Sequence, residues 1–168
     1  MILNALFLVP HSLSFMSFTQ LFALANLYIL PFWTMMILFP KWNVTKKVMG
    51  SYLPFLPLIG AYIYYLVVTT AANPEAASAL SNPQLTDIAR FFGEEGAAGA
   101  GWVHFLVMDL FVGRWIYQQG QEKQIWTIHS LILCLFFGPV GLLSHIITDT
   151  VFGNDKDNVT STQTDATA

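Results

Sequence analysis

Four long runs of the chain are almost free of polar side chains. They cover roughly residues 18–39, 53–72, 100–118 and 126–148, each close to the ~20 residues a helix needs to cross a hydrocarbon core of about 30 Å. Backbone polar groups in hydrocarbon must be paired within their own segment, which leaves helices as the economical solution. The pattern predicts an all-α, polytopic membrane protein with four transmembrane helices in an antiparallel bundle over residues 18–150. Residues 1–17 read as an interfacial segment broken near Pro10, and 151–168, dominated by Asp, Asn, Thr and Ser, as a disordered polar tail. The one extended hydrophilic connection is 73–99, in which Asp87 to Phe92 predicts a short surface helix on the outer face.

Composition agrees with this reading. The chain is 55% hydrophobic, 15% aromatic and only 10% charged, well below the charge of an ordinary soluble domain. The formal net charge is −3 and the seven Lys and Arg are scattered, so a nucleic-acid footprint is excluded. The single cysteine, Cys134, permits no intramolecular disulfide and reads as a small core residue. No Walker loop, Cys-rich metal motif or nucleophile elbow occurs.

Charge also sets orientation. The loop after the first run carries Lys41, Lys46 and Lys47 and no acid, whereas the next carries Glu75, Asp87, Glu94 and Glu95 against Arg90 alone. By the positive-inside rule the first loop faces the cytoplasm or its plastid equivalent. Four crossings would then leave both termini on the lumenal or periplasmic side, in a thylakoid or bacterial inner membrane.

The third run, "GWVHFLVMDLFVGRWIY" (101–117), nonetheless contains His104, Asp109 and Arg114. An ionised group at the centre of a membrane helix costs about 2.5–3.5 kcal/mol on insertion scales unless it faces protein, water or a partner. Asp109 is too short to snorkel and must be protonated or paired, while Arg114 could extend toward the inner interface. At about 100° per residue, successive members of the trio lie about 140° apart, so a partner for Asp109 must come from another helix. The fourth run offers His129 and His145. An antiparallel fourth span would set Arg114 at the depth of His129 and His104 at that of His145, with Gly138-Pro139 bending the helix opposite Asp109.

The expected site is therefore a midplane pocket. Asp109, His104 and His145 are its candidate catalytic groups, and Arg114, His129, Trp102 and Pro139 its lining. The bland alternative is interhelical hydrogen-bonding glue, the role assigned to Asn26. Trp33, Trp42, Trp102, Trp115 and Trp126 fall near interfaces, where amphipathic rings belong. Fourteen Phe and the Tyr62, Tyr64, Tyr65 cluster would suit a long, flat apolar ligand or plain lipid contact.

Taken in order and spacing, "LPFWTMMILFP" (30–40), "TKK" (45–47), "GWVHFLVMDLFVGRWIY" (101–117), "HS" (129–130) and "CLFFGPVGLLSHIIT" (134–148) resemble the abscisic-acid-deficient-four-like family of four-helix membrane proteins. The absence of a transit-peptide pattern is more similar to the bacterial and cyanobacterial members than to the plant ones. The resemblance implies carotenoid or xanthophyll handling, and for the plant member neoxanthin formation from violaxanthin. That isomerisation opens an epoxide and removes a ring-adjacent hydrogen to leave an allene, without net redox change. Asp109 would supply the acid, and His104 or His145 the base. No cofactor is implied beyond a bound carotenoid, and the expected partners are membrane lipid, a second copy of the chain or a photosynthetic complex. Three alternatives stay open at this point: a haem held by His104 and His145, a metal site from His104, Asp109, His129 and His145 without close ligand spacing, and a non-catalytic assembly subunit of a photosynthetic complex.

Overall fold

The structure, a computed structural model, describes residues 16–74 and 83–153. The expected interfacial segment up to residue 15 and the polar tail from residue 154 lie outside the described residues.

The described residues are helical throughout, joined by short turns. Helix α1 spans Phe18–Leu38 and begins at a capping box in which Ser17 and Gln20 satisfy each other's backbone N–H groups. Its buried face is Ala25, Ile29, Trp33 and Met36, the helical repeat of an inward stripe. A turn leads to the short α2, Asn43–Met49, then through a 3₁₀ turn at Leu53–Phe55 to α3, Leu56–Ala72. The surface helix α4, Leu85–Phe92, buries only Phe91. Helix α5, Glu95–Lys123, is the longest at 29 residues and packs against α1, α3 and the elements that follow it.

Three of these helical stretches, Phe18–Leu38, Leu53–Ala72 and Glu95–Lys123, are long and apolar enough to cross a membrane. Glycines on α5 let its neighbours approach closely, as is common where helices meet in lipid. A Cβ at Gly99 would run into the Tyr65 ring, and one at Gly113 into Trp33.

The fourth apolar run departs from the expected crossing. It forms two helices, α6 (Ile128–Phe136) and α7 (Gly138–Phe152), which fold back on each other at Phe137. Ser130 meets Ser144 at 3.0 Å and His129 meets Thr148 at 2.9 Å, so the two helices are antiparallel partners. A Cβ at Gly141 would overlap the Cys134 backbone. The run is therefore a hairpin about half the depth of α5, and its far end returns to where it began, with Lys123 bonded to Asp149. At nine and fifteen residues, or about 14 and 22 Å, neither helix reaches the ~30 Å of a hydrocarbon core.

The two ends of the described stretch lie apart. The start of α1 lies beside the start of α5, where Thr19 Oγ1 donates to Glu95. The end of α7 lies at the opposite end of the bundle, beside Lys123 and the base of α6. Within the described residues the chain thus begins and finishes at opposite ends of the bundle.

Candidate functional site

Asp109 is the central residue of α5 and half-buried. Its carboxylate lies against the hairpin tip, where a Cβ at Gly138 would overlap Oδ1. Gly138 opens α7, with Pro139 next to it at a position whose missing N–H costs nothing. The first turn of a helix carries unpaired N–H groups and partial positive charge, which suits an acidic neighbour. The Cys134 thiol donates to the Asp109 backbone carbonyl at 3.5 Å, tying α6 to the same point.

Beyond the tip, the face of α5 that carries Asp109 has no helix of the hairpin to cover it. Trp102 and Phe105 lie on that face at helical spacing, and both are exposed. Phe136 and Phe137 at the tip are 69% and 63% exposed. Trp102 is held by a 2.9 Å bond from its indole Nε1 to Asn26 Oδ1 and by ring contact with Phe22, so Asn26 joins α1 to α5 as the sequence suggested. An open cleft of about 340 Å³ continues from Trp102 toward the start of the bundle, lined by Phe18, Phe22, Tyr65 and Gly99 among others. The result is an aromatic face with a carboxyl group toward each end, Asp109 at the hairpin tip and Glu95 in the cleft.

The other expected site residues stand elsewhere. His104 is exposed on the opposite flank of α5, its ring 5.7 Å from that of Tyr62. His145 packs edge-on against Trp115, 5.0 Å between centroids, eleven residues further along α5 than His104, or about 16 Å. The expectation that His104 and His145 share a depth is overturned by the hairpin, because α7 runs parallel to α5 where a fourth crossing would be antiparallel. A haem ligated by both histidines loses its geometric basis for the same reason. Among the described residues, no group of three His, Cys, Asp or Glu is placed to hold a metal ion.

Arg114 is 7% exposed and faces the α2 turn instead of Asp109. Its Nε donates to the Met49 carbonyl at 2.6 Å, Nη2 donates to that of Gly50 at 3.4 Å, and the guanidinium lies 4.5 Å over the Tyr52 ring. A cation at these terminal carbonyls complements the negative end of α2. His129 pairs with Thr148 and touches Trp126 within the hairpin base. His145 is fully buried and neither ring nitrogen has a hydrogen-bond partner. Pro139 is exposed at the tip.

Sequence reasoning missed Phe136, Phe137 and Phe105 as the rim around Asp109, and the Met49 and Gly50 carbonyls as the target of Arg114. The signal for the hairpin was present as small residues, Ser130, Cys134, Gly138, Gly141 and Ser144, distributed on both sides of a Gly-Pro break.

Three apolar helices joined to a half-depth hairpin define an all-helical protein built around an acidic residue at mid-length. A family model described as ABA DEFICIENT 4-like matches residues 20–145, and the chain belongs to that family. It is similar to Protein ABA DEFICIENT 4, chloroplastic, of Arabidopsis thaliana, with 39% identity over 141 residues, covering 81% of this chain and 63% of that protein. The chain therefore spans less than two thirds of the length of this relative. No solved structure matches it.

Proposed function

We propose that the chain is an integral membrane protein that handles a carotenoid of the xanthophyll class, in a thylakoid or bacterial inner membrane. Membership of the ABA DEFICIENT 4-like family is the observation that carries the ligand class. In place of the four-span antiparallel bundle, the reading has three crossings and a re-entrant hairpin, with the Lys-rich α1–α2 turn and the end of α7 on the inner side. The polyene lies along the aromatic face from Trp102 through Phe105, and its end-ring rests on the tip beside Asp109.

In an isomerisation of the violaxanthin-to-neoxanthin type, one proton goes to the epoxide oxygen as its bond to the ring carbon breaks and one leaves the polyene carbon attached to that ring carbon, so the product keeps every atom of the substrate. Asp109 is the group suited to the first transfer, since it is the carboxyl group set against the hairpin tip. The second transfer needs a base, and neither histidine faces the same ring, since His104 stands on the opposite flank of α5 and His145 is buried against Trp115. That separation favours a second reading in which the chain binds and presents the xanthophyll, alone or as a dimer or within a photosynthetic complex, while chemistry is completed by another component.

Purification from the native membrane in mild detergent, followed by an absorption spectrum and pigment extraction, tests the reading. A bound xanthophyll is the expected result, and a colourless protein of normal yield contradicts it. Asp109→Asn separates the two forms: loss of product with pigment retained supports catalysis, whereas unchanged product supports presentation only.

A further inference from the structure

A second cavity, of about 550 Å³, lies at the inner end of the bundle, remote from Asp109. It is formed where the α1–α2 turn faces the α5–α6 turn, and its lining includes Lys41, Lys46, Gln121, Gln124, Trp126 and Thr127, with no carboxylate. Neither lysine's ammonium group has an ion-pair or hydrogen-bond partner among the described residues. Glu122 faces a separate small cleft on the other side of Lys46 and accepts from Gln119.

The walls are held in place before any ligand arrives. Thr45 Oγ1 donates to the Phe39 carbonyl at 2.8 Å, and Tyr117 donates to that of Pro40 at 2.8 Å. Arg114 and Gln118 both donate to the Met49 carbonyl, fixing the end of α2. On the opposite wall, Gln124 adopts a left-handed backbone, φ 53°, which a side chain other than glycine takes up only at some cost. The backbone carrying Lys41 in the turn and Lys46 on α2 is thus held in place, with the amide residues Gln121 and Gln124 also lining the cavity.

An apolar cleft of about 680 Å³, lined by Leu38, Phe39 and Trp42, shares Pro40 and Lys41 with this cavity. Trp42 on the apolar cleft and Trp126 on the first cavity are both exposed, as interfacial tryptophans are. We propose that this pair of cavities is a binding site for an anionic phospholipid, with the phosphate between Lys41 and Lys46 and an acyl chain along Leu38 and Trp42. The joined apolar cleft is what favours a lipid over a small free anion. The site rests on the membrane orientation proposed above but not on the carotenoid.

Native mass spectrometry of the full chain tests it, comparing retention of phosphatidylglycerol and phosphatidylcholine with identical acyl chains. Preferential retention of phosphatidylglycerol is expected. At about fivefold for each basic group, Lys41→Ala with Lys46→Ala should reduce that retention about 25-fold. The paired Lys→Arg replacements should retain it and so guard against a folding defect. Lys47→Ala, which alters the same helix outside the cavity, should change it by no more than about twofold. Equal retention of both lipids, equal loss in Lys47→Ala, or displacement by equimolar inorganic phosphate would each overturn the proposal. Because lipid retention is read without reference to pigment, failure here leaves the carotenoid reading standing, and the reverse holds too.

Discussion

Lys123 Nζ lies 2.7 Å from both carboxylate oxygens of Asp149, a contact that joins the end of α5 to the last turns of α7. A fourth span crossing the membrane would have set these residues a full bilayer apart. The pair is partly exposed, and exposed ion pairs contribute only about 0–1 kcal/mol, so it reports the topology without being its cause. The hairpin is held instead by close packing of small residues and by the Ser130–Ser144 and His129–Thr148 bonds.

Close packing at the tip makes Gly138 and Gly141 sensitive for different reasons. Gly138→Ala drives a methyl group into the Asp109 carboxylate, and Gly141→Ala drives one into the Cys134 backbone. Each should cost about 1–3 kcal/mol in detergent unfolding experiments. Asp109→Ala should largely rescue Gly138→Ala in a double-mutant cycle, while Cys134→Ala should not rescue Gly141→Ala, because its obstacle is main chain.

The buried guanidinium of Arg114 should matter for stability more than for ligand binding. Arg114→Ala is expected to cost about 2–3 kcal/mol, the scale of a lost charge-assisted hydrogen bond to a buried partner. Arg114→Lys should recover less than half, since an ammonium cannot both span the Met49 and Gly50 carbonyls and lie flat over Tyr52. Thermal unfolding with pigment content measured in parallel checks this, and pigment loss without destabilisation would argue against it.

His145 offers the opposite case. Its ring nitrogens are buried without partners, so His145→Phe removes an unmet polar demand and keeps the edge-on contact with Trp115. Stability should be unchanged or raised by about 1 kcal/mol, with any xanthophyll turnover retained. Abolished turnover in a well-folded His145→Phe protein would restore this histidine to a catalytic role.

How far the chain could be read from its residues differs between its parts. The runs at 18–39 and 53–72 correspond closely to α1 and to the 3₁₀ turn with α3, because a long apolar segment has few alternatives to a helix. The run at 126–148 was long enough to cross, and its Gly-Pro pair was read as a bend. Length and hydropathy cannot separate a kinked helix from one that turns back, since both satisfy backbone hydrogen bonds and bury the same side chains. Asp109 and the Gly138-Pro139 break were correctly set beside each other, because sequence distance from a common turn fixes depth on both helices up to that point. Past the break the same arithmetic fails, which is why His145 was expected beside His104 and lies beside Trp115. Arg114 was read as reaching for the interface because its partners are main-chain carbonyls, which no side-chain pattern reveals.

The sidedness of α7 tests the central claim most directly. Single cysteines at Lys47, Glu94 and Thr150, in a Cys134→Ala background, would be labelled in sealed membranes with a membrane-impermeant maleimide. A re-entrant hairpin predicts that positions 47 and 150 react from the same side and position 94 from the other. Reaction of position 150 together with position 94 would mean that the fourth run crosses the membrane, and the tip at Asp109 would have to be abandoned.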